Sequence, residues 1–290
     1  MTASDRPPSS ADSLPEGVRD LLSGAEGLLL GLDFDGTLAP IVDDPEAATL
    51  APAARPAVER LATRPGVALA VVSGRALSDL EKRVGIDGVV YAGNHGLELG
   101  YGGERAVHPA AFDRLGEIDR LCADLADRLA DVPGCRIENK GVTATVHFRT
   151  VAGEAVPTVV DAVERAVGET EGVRMTEGDC IREIRPAVAW DKGDAMRSIA
   201  SVLPDDRPAM YVGDDATDED AFAAIQPEGA GVHVAREGTT FETVAACRLD
   251  GRASVPPFLE LLAGATADFD AAPGWRGTDP LADPFGRTES

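Results

Sequence analysis

Asp33 and Asp35 stand two residues apart at the end of an apolar run, Leu28-Leu29-Leu30-Gly31-Leu32, and Gly36-Thr37-Leu38 follows them. The run has the composition of a buried parallel strand. Extended residues two apart face the same way, so a strand ending here brings both carboxylates near one point. Gly36 admits a turn that a bulkier residue resists. Two carboxylates so placed can divide attack on phosphorus and proton transfer between them. A strand closed by an Asx turn would use the same residues.

Three other stretches carry chemistry-bearing residues after apolar runs or at helix starts. Ser73-Gly74-Arg75 follows Val67 to Val72 and precedes a helical pattern. A hydroxyl and backbone N–H groups at a helix N-terminus bind anions, although a plain N-cap serine reads the same way. Lys192 opens a helix after Trp190-Asp191, where the macrodipole disfavours a cation. That local cost points to a task, such as holding phosphate or orienting a carboxylate; the alternative is a solvated lysine. Asp214 to Asp220 packs five acids into seven positions. Such density repels itself unless a cation or a helix N-terminus offsets it, and Mg²⁺ takes carboxylate and water oxygens. An acid-rich capped helix start is the plainer account.

The elements that must position these residues alternate. Strands are predicted at Leu28 to Asp33, Val67 to Val72 and Val89 to Ala92, with helices at Ala53 to Thr63 and Leu77 to Val84 between them. The pattern changes at Pro109, where a helix to Asp131 is followed by strands at Arg136 to Asn139 and Thr143 to Arg149. A helix at Val156 to Val167 and strands at Val173 to Thr176 and Ile181 to Arg185 complete that segment. The parallel pattern then returns: a helix from Lys192 to Leu203, a strand at Ala209 to Val212, a helix from Asp218 to Ile225 and a strand at Gly231 to Val234. Helices at Thr239 to Ala246 and Val255 to Leu262 follow. The expected fold is α/β, a Rossmann-like parallel sheet core with an inserted α+β cap domain. The expected divisions are a flexible tail at 1–22, a core at 23–107 and 190–265, a cap at 108–189, and a flexible tail at 266–290, with a short helix around Leu14 to Ser23 leading into the first strand. In an open α/β sheet the strand C-termini form the ligand crevice, so Asp33, Asp35, Ser73, Lys192, Asp214 and Asp215 can meet there.

Composition narrows the partners. The chain of 290 residues has 50 Asp+Glu against 27 Lys+Arg, a formal charge of −23. That surface repels nucleic acid and anionic membranes. It also suits high salt, where screening suppresses self-repulsion. Three lysines, Lys82, Lys140 and Lys192, stand against 24 arginines, and two of the three fall among the motifs. Cys122, Cys135, Cys180 and Cys247 form no Cys-x-x-Cys pair, so neither zinc nor redox chemistry is indicated. No apolar run reaches the ~18 residues of a membrane span, and the first residues lack a signal-peptide pattern. A cytoplasmic monomer is expected.

Taken in order, Asp33-Phe34-Asp35-Gly36-Thr37, Ser73, Lys192 and Gly213-Asp214-Asp215 resemble the four motifs of the haloacid dehalogenase superfamily of phosphatases. The closer resemblance is to the trehalose-6-phosphate phosphatases. It is carried by Ser73-Gly74-Arg75, Gly93-Asn94-His95-Gly96, Glu138-Asn139-Lys140-Gly141, His147-Phe148-Arg149, Glu183-Ile184-Arg185-Pro186 and Gly213 to Asp220. The resemblance implies Asp33 as nucleophile, Asp35 as general acid and base, and Mg²⁺ on Asp33, the Asp35 carbonyl and Asp214. It implies Ser73, Gly74 and Lys192 on the phosphoryl oxygens, and Asp215 and Asp218 as orienting residues. Lys192 counts with Asp33 and Asp35 among the catalytic residues.

Substrate recognition is expected from Arg75, Asn94 and His95 in the core and from three cap pairs: Glu138 and Lys140, His147 and Arg149, Glu183 and Arg185. Each pair is spaced so that a strand would turn both side chains to one face. Mixed acids and bases suit the hydroxyls of a sugar. Hinges are expected near Val107 to Pro109 and Pro186 to Trp190. The implied reaction is Mg²⁺-dependent hydrolysis of trehalose 6-phosphate through an aspartyl-phosphate. The alternatives are a phosphatase for another phosphorylated osmolyte, such as mannosyl- or glucosyl-3-phosphoglycerate, and a non-catalytic sugar-phosphate sensor.

Overall fold

The computed structural model describes residues 13–42, 45–203, 207–236, 238, 242–269, 274–275 and 278–286. In chain order the first elements are α1 (Glu16–Leu22), β1 (Leu28–Asp33), α2 (Arg55–Thr63), β2 (Val67–Val72), α3 (Leu77–Val84), β3 (Val89–Gly93), β4 (Glu98–Tyr101) and β5 (Glu104–Val107). Then come α4 (Pro109–Phe112), α5 (Leu115–Arg128), β6 (Arg136–Asn139), β7 (Ala144–His147), α6 (Val156–Gly168), β8 (Val173–Gly178) and β9 (Ile181–Pro186). The last are α7 (Lys192–Ser201), β10 (Ala209–Gly213), α8 (Asp218–Ala224), β11 (Ala230–Val234), β12 (Cys247–Leu249) and α9 (Val255–Ala265). Two compact units meet in sequence at Ala106/Val107 and Ala189/Trp190.

The first unit is built on a sheet ordered β12-β11-β10-β1-β2-β3-β4-β5. From β12 to β3 neighbouring strands run parallel, and β4 turns antiparallel to β3. Every residue of β1 is buried. A strand covered on both faces needs no polar alternation, which is why Leu28 to Leu32 is a continuous apolar run. Leu28, Leu30 and Leu32 pack with Val18, Val58, Leu61, Leu80 and Leu259 on one side. Leu29 packs with Met196, Ile199, Tyr211 and Phe222 on the other. The strand order reverses around β1, which lies between β10 and β2, so the crevice beyond its C-terminus is where such sheets take ligands.

The second unit pairs β6-β7-β9-β8 into an antiparallel sheet. Its apolar side, with Val146 and Ile184, packs on Ile118, Leu121 and Leu125 of α5 and Val159 and Val163 of α6. The helix expected from Pro109 to Asp131 is two helices, α4 and α5, separated at Asp113 and Arg114.

Several expectations need correction. Residues 13–22 of the expected N-terminal tail include α1, with Leu14 and Val18 buried in the core; residues 1–12 lie outside the described residues. Much of the described part of 266–290 is packed. Phe269 and Trp275 are buried, Trp275 Nε1 donates to the Leu69 carbonyl at 3.0 Å, and Leu281 and Phe285 pack on the same core cluster. That cluster presents Ala68, Ala70 and Ala92, whose small side chains leave room for large rings. Polar composition suggested a tail because the anchoring aromatics are isolated. For the helix expected at Thr239 to Ala246, residues 239–241 lie outside the described residues and 242–246 are not helical. The strands β4, β5 and β12 were not anticipated; Gly102-Gly103 between β4 and β5 is the hairpin signal that sequence reading passed over.

Candidate active site

Asp33 ends β1 and Lys192 begins α7, 159 positions later. Lys192 Nζ donates to Asp33 Oδ1 at 2.7 Å and to Asp218 Oδ1 at 2.7 Å, and all three side chains are buried. The lysine can open a helix because Asp191 caps it: Asp191 and Asp194 form a reciprocal capping box that satisfies the terminal N–H groups. Burial alone would lower the Lys192 pKa, but the charges of Asp218 and Asp33 outweigh it and raise it well above the ordinary value. Lys192 is therefore a fixed ammonium. Asp218 takes two more donors at Oδ2, the amides of Asp214 and Asp215 at 2.8 and 3.0 Å, and the Tyr211 hydroxyl at Oδ1 at 3.0 Å. Oδ2 thus shapes the loop after β10, while Oδ1 holds Lys192 and Tyr211.

Asp214 is fully buried and sits at the same point. Oxygens of Asp33, Asp214 and Asp218 lie within 4.8 Å of one another, a group that could hold a metal ion. With Asp218 committed to its four donors, Asp33 and Asp214 are the better placed ligands. Thr37 Oγ1 donates to Asp214 Oδ1 at 3.3 Å. Oδ2 of Asp214 is buried with no hydrogen bond among the described residues; Arg236 Nε lies 3.2 Å away as an ion pair without the alignment of one. Burial, then the charges of Asp218 and Asp215, push the Asp214 carboxyl up to about 7. Burial likewise raises Asp33, against the opposing charge of Lys192. Carboxylates crowded beyond what Lys192 and Arg236 offset, with a buried oxygen that makes no hydrogen bond among the described residues, fit a hard divalent cation.

Ser73, Gly74 and Arg75 follow β2. Their loop is fastened by backbone bonds from Asn94 N to Arg75 O at 2.7 Å and from His95 N to Ser73 O at 2.9 Å. An added Cβ on Gly74 would come within 2.6 Å of His95 Nε2, so the imidazole covers this glycine closely. Asn94 and His95 both take positive φ, 50° and 59°. Asn94 is fully buried and its amide donates to Glu98 at 2.6 Å. Arg75, expected to meet substrate, holds Asp35: Nε and Nη2 each donate to one Asp35 oxygen at 2.7 Å. Asp215 is held by Thr217, whose amide and hydroxyl donate to it at 2.8 and 2.7 Å.

In the second unit, the register sets Glu138 opposite Thr145, Thr145 opposite Glu183, and Glu183 opposite Thr176. Opposed residues share a face, so this row and the flanking His147 and Arg185 form the polar side of the sheet. His147 Nε2 and Glu138 Oε2 are 2.7 Å apart, and Lys140 Nζ lies 3.8 Å from Glu183. Burial would raise the Glu138 carboxyl, but the His147 hydrogen bond and the Lys140 charge hold it below its usual range. Arg149 is not on this face. It lies in the turn after β7, half exposed, and pairs with Asp179 at 2.8 Å.

Residues 31–250 match the family model described as Trehalose-phosphatase. The trehalose-phosphate phosphatase of Mycobacterium marinum is 41% identical over 237 residues, 80% of this chain and 60% of that protein. The chain belongs to the trehalose-phosphatase family. The Mycobacterium tuberculosis trehalose-phosphate phosphatase is 38% identical over 261 residues, 86% of this chain and 66% of that protein. The chain thus spans slightly under two thirds of the length of these curated relatives. A solved structure described as a trehalose-6-phosphate phosphatase related protein superposes with a TM-score of 0.71 at 27% identity, covering 81% of this chain and 96% of that one.

In this trehalose-phosphatase family member, sequence reading missed Tyr211, Thr37 and Arg236 as neighbours of the acidic cluster. Tyr211 lies inside an apolar strand, where only the fold shows that its hydroxyl reaches Asp218. It also missed Asp79 and Arg83, although the two stand four apart on a predicted helix, four residues after Arg75.

Proposed function

We propose that the chain hydrolyses trehalose 6-phosphate to trehalose and phosphate with Mg²⁺ as cofactor. One observation carries the reading: Asp33, buried at the C-terminus of the central strand, lies 2.7 Å from the ammonium of Lys192 and beside the buried Asp214. Asp33 attacks phosphorus, the bond to the sugar oxygen breaks, and Asp35 gives that oxygen a proton. Water then attacks the aspartyl-phosphate, Asp35 takes its proton, and phosphate leaves with Asp33 restored. Lys192, the Ser73 hydroxyl and the Gly74 amide hold the phosphoryl oxygens. Asp33, the Asp35 carbonyl and Asp214 would hold the Mg²⁺, which would supply positive charge to offset the repulsion of a phosphate dianion by carboxylates. Asp215 and Asp218 keep the loop and the lysine in place. Glu138, Lys140, His147, Glu183 and Arg185 recognise the sugar hydroxyls.

The test is phosphate release from trehalose 6-phosphate, measured beside mannosyl- and glucosyl-3-phosphoglycerate, with and without Mg²⁺. Asp33→Asn is expected to abolish turnover. Preference for a phosphoglycerate ester would replace the substrate, and tight binding without phosphate release would make the chain a sensor.

A further inference from the structure

A line of alternating charges runs from Asp35 away from the crevice. Arg75 meets both Asp35 oxygens with Nε and Nη2, and Nη1 donates to Asp79 Oδ2 at 2.9 Å. Arg83 Nε donates to that same Asp79 oxygen at 2.6 Å. Arg83 Nη1 then donates to the carbonyls of Glu46 and Ala48, at 2.9 and 2.5 Å, in the segment after Leu38. Asp79 and Arg83 are one turn apart on one face of α3, and Arg75 reaches Asp79 from the loop just before that helix. The Arg75 guanidinium also lies 5.4 Å from the centre of the Phe34 ring.

Burial alternates along this line. The side chains of Arg75 and Arg83 are 13% and 11% exposed, and those of Asp35 and Asp79 are 38% and 33% exposed. The two guanidinium groups are therefore held in the protein while the carboxylates they carry reach water. A guanidinium with one partner can rock on its long stem; one anchored on a second edge has its plane fixed. Burial would raise the Asp79 carboxyl, but Arg83 and Arg75 hold it below its ordinary range, as expected of a permanent anion in the line.

We propose that Asp79 and Arg83 are positioning residues for Asp35: they fix the plane of Arg75 and share its charge. Asp35 is thereby aimed, because the guanidinium that meets both its oxygens is itself held along a second edge. The proposal rests on the acid–base role of Asp35 proposed above. Nothing in it requires Asp79 or Arg83 to touch substrate.

The experiment measures kcat and KM for Asp79→Asn, Asp79→Glu and Arg83→Gln on trehalose 6-phosphate and on 4-nitrophenyl phosphate, with thermal unfolding of each variant. A sugar alkoxide needs a proton to leave; a nitrophenolate scarcely does. Asp79→Asn is expected to lower kcat/KM on the sugar phosphate by about tenfold more than on the aryl ester. Asp79→Glu should recover part of the loss, and KM should stay within about twofold. Equal losses on both substrates, or none, would overturn the proposal. If the wild type does not turn over the aryl ester, the sugar phosphate alone decides: reduced kcat at constant KM supports the proposal, and raised KM at constant kcat overturns it. Should Asp79→Asn fail to fold, the same comparison on Arg83→Gln stands in. Wild-type protein inactive on every substrate would remove the phosphatase reading itself, whereas active wild type with unaltered variants removes only this inference.

Discussion

Gly36 carries no side chain because Asp214 leaves no room for one. Its φ is +91°, and an added Cβ would lie 2.1 Å from Asp214 Oδ2. Gly36→Ala must therefore either strain the turn or displace the carboxylate that the proposed cation needs. Mg²⁺ affinity, followed by titration calorimetry on the full chain, is expected to fall by about tenfold or more, the loss found when groups that orient a metal ligand are disturbed. Unchanged affinity would mean that Asp214 is not a ligand. Asp33, Asp35, Lys192 and Asp214 were all legible as candidates, since their types and positions after apolar runs are written in the chain. Their partners were not. That Arg75 holds Asp35, and that Asn94 turns inward to Glu98, depends on loops meeting across the strand ends.

At the scale of elements, the second unit's sheet collects Glu138, Lys140, His147, Glu183 and Arg185, and substrate choice is assigned to that face. Glu183→Ala and Lys140→Ala are expected to reduce kcat/KM on the sugar phosphate by about tenfold or more, the loss when a site built to pair hydroxyls loses a partner. Turnover of a small aryl phosphate should change far less. Equal loss on both substrates would undercut the assignment. The C-terminal segment is the element most misjudged from sequence. Trp275 is buried, bonded to Leu69 and packed near Tyr101, with ring centroids 6.2 Å apart. Phe285 stacks edge-on with Trp190 at 5.5 Å, two residues before Lys192. Trp275→Ala removes a buried ring and should cost about 3 kcal/mol. Thermal unfolding should fall by roughly 5 °C or more; an unchanged midpoint would restore the reading of a tail.

For the whole molecule the charge of −23 dominates. The buried ion pairs near Lys192 are shielded from salt, but most acids are on the surface and repel one another. Their interaction range shrinks from about 10 Å at 0.1 M salt to about 3 Å at 1 M. The unfolding midpoint is therefore expected to rise steadily as KCl is increased over that range. A flat response would show that the surface charges already balance locally. Composition alone carries this expectation, and apolar runs followed by acids determined the parallel core and the main catalytic candidates, because both are local properties of the chain. Only the tertiary structure decided which partner each charge takes. Asp35 with Arg75, Asp33 with Lys192, and Trp275 with Leu69 join positions far apart in sequence, and they meet on a sheet in which β1 lies between β2 and β10.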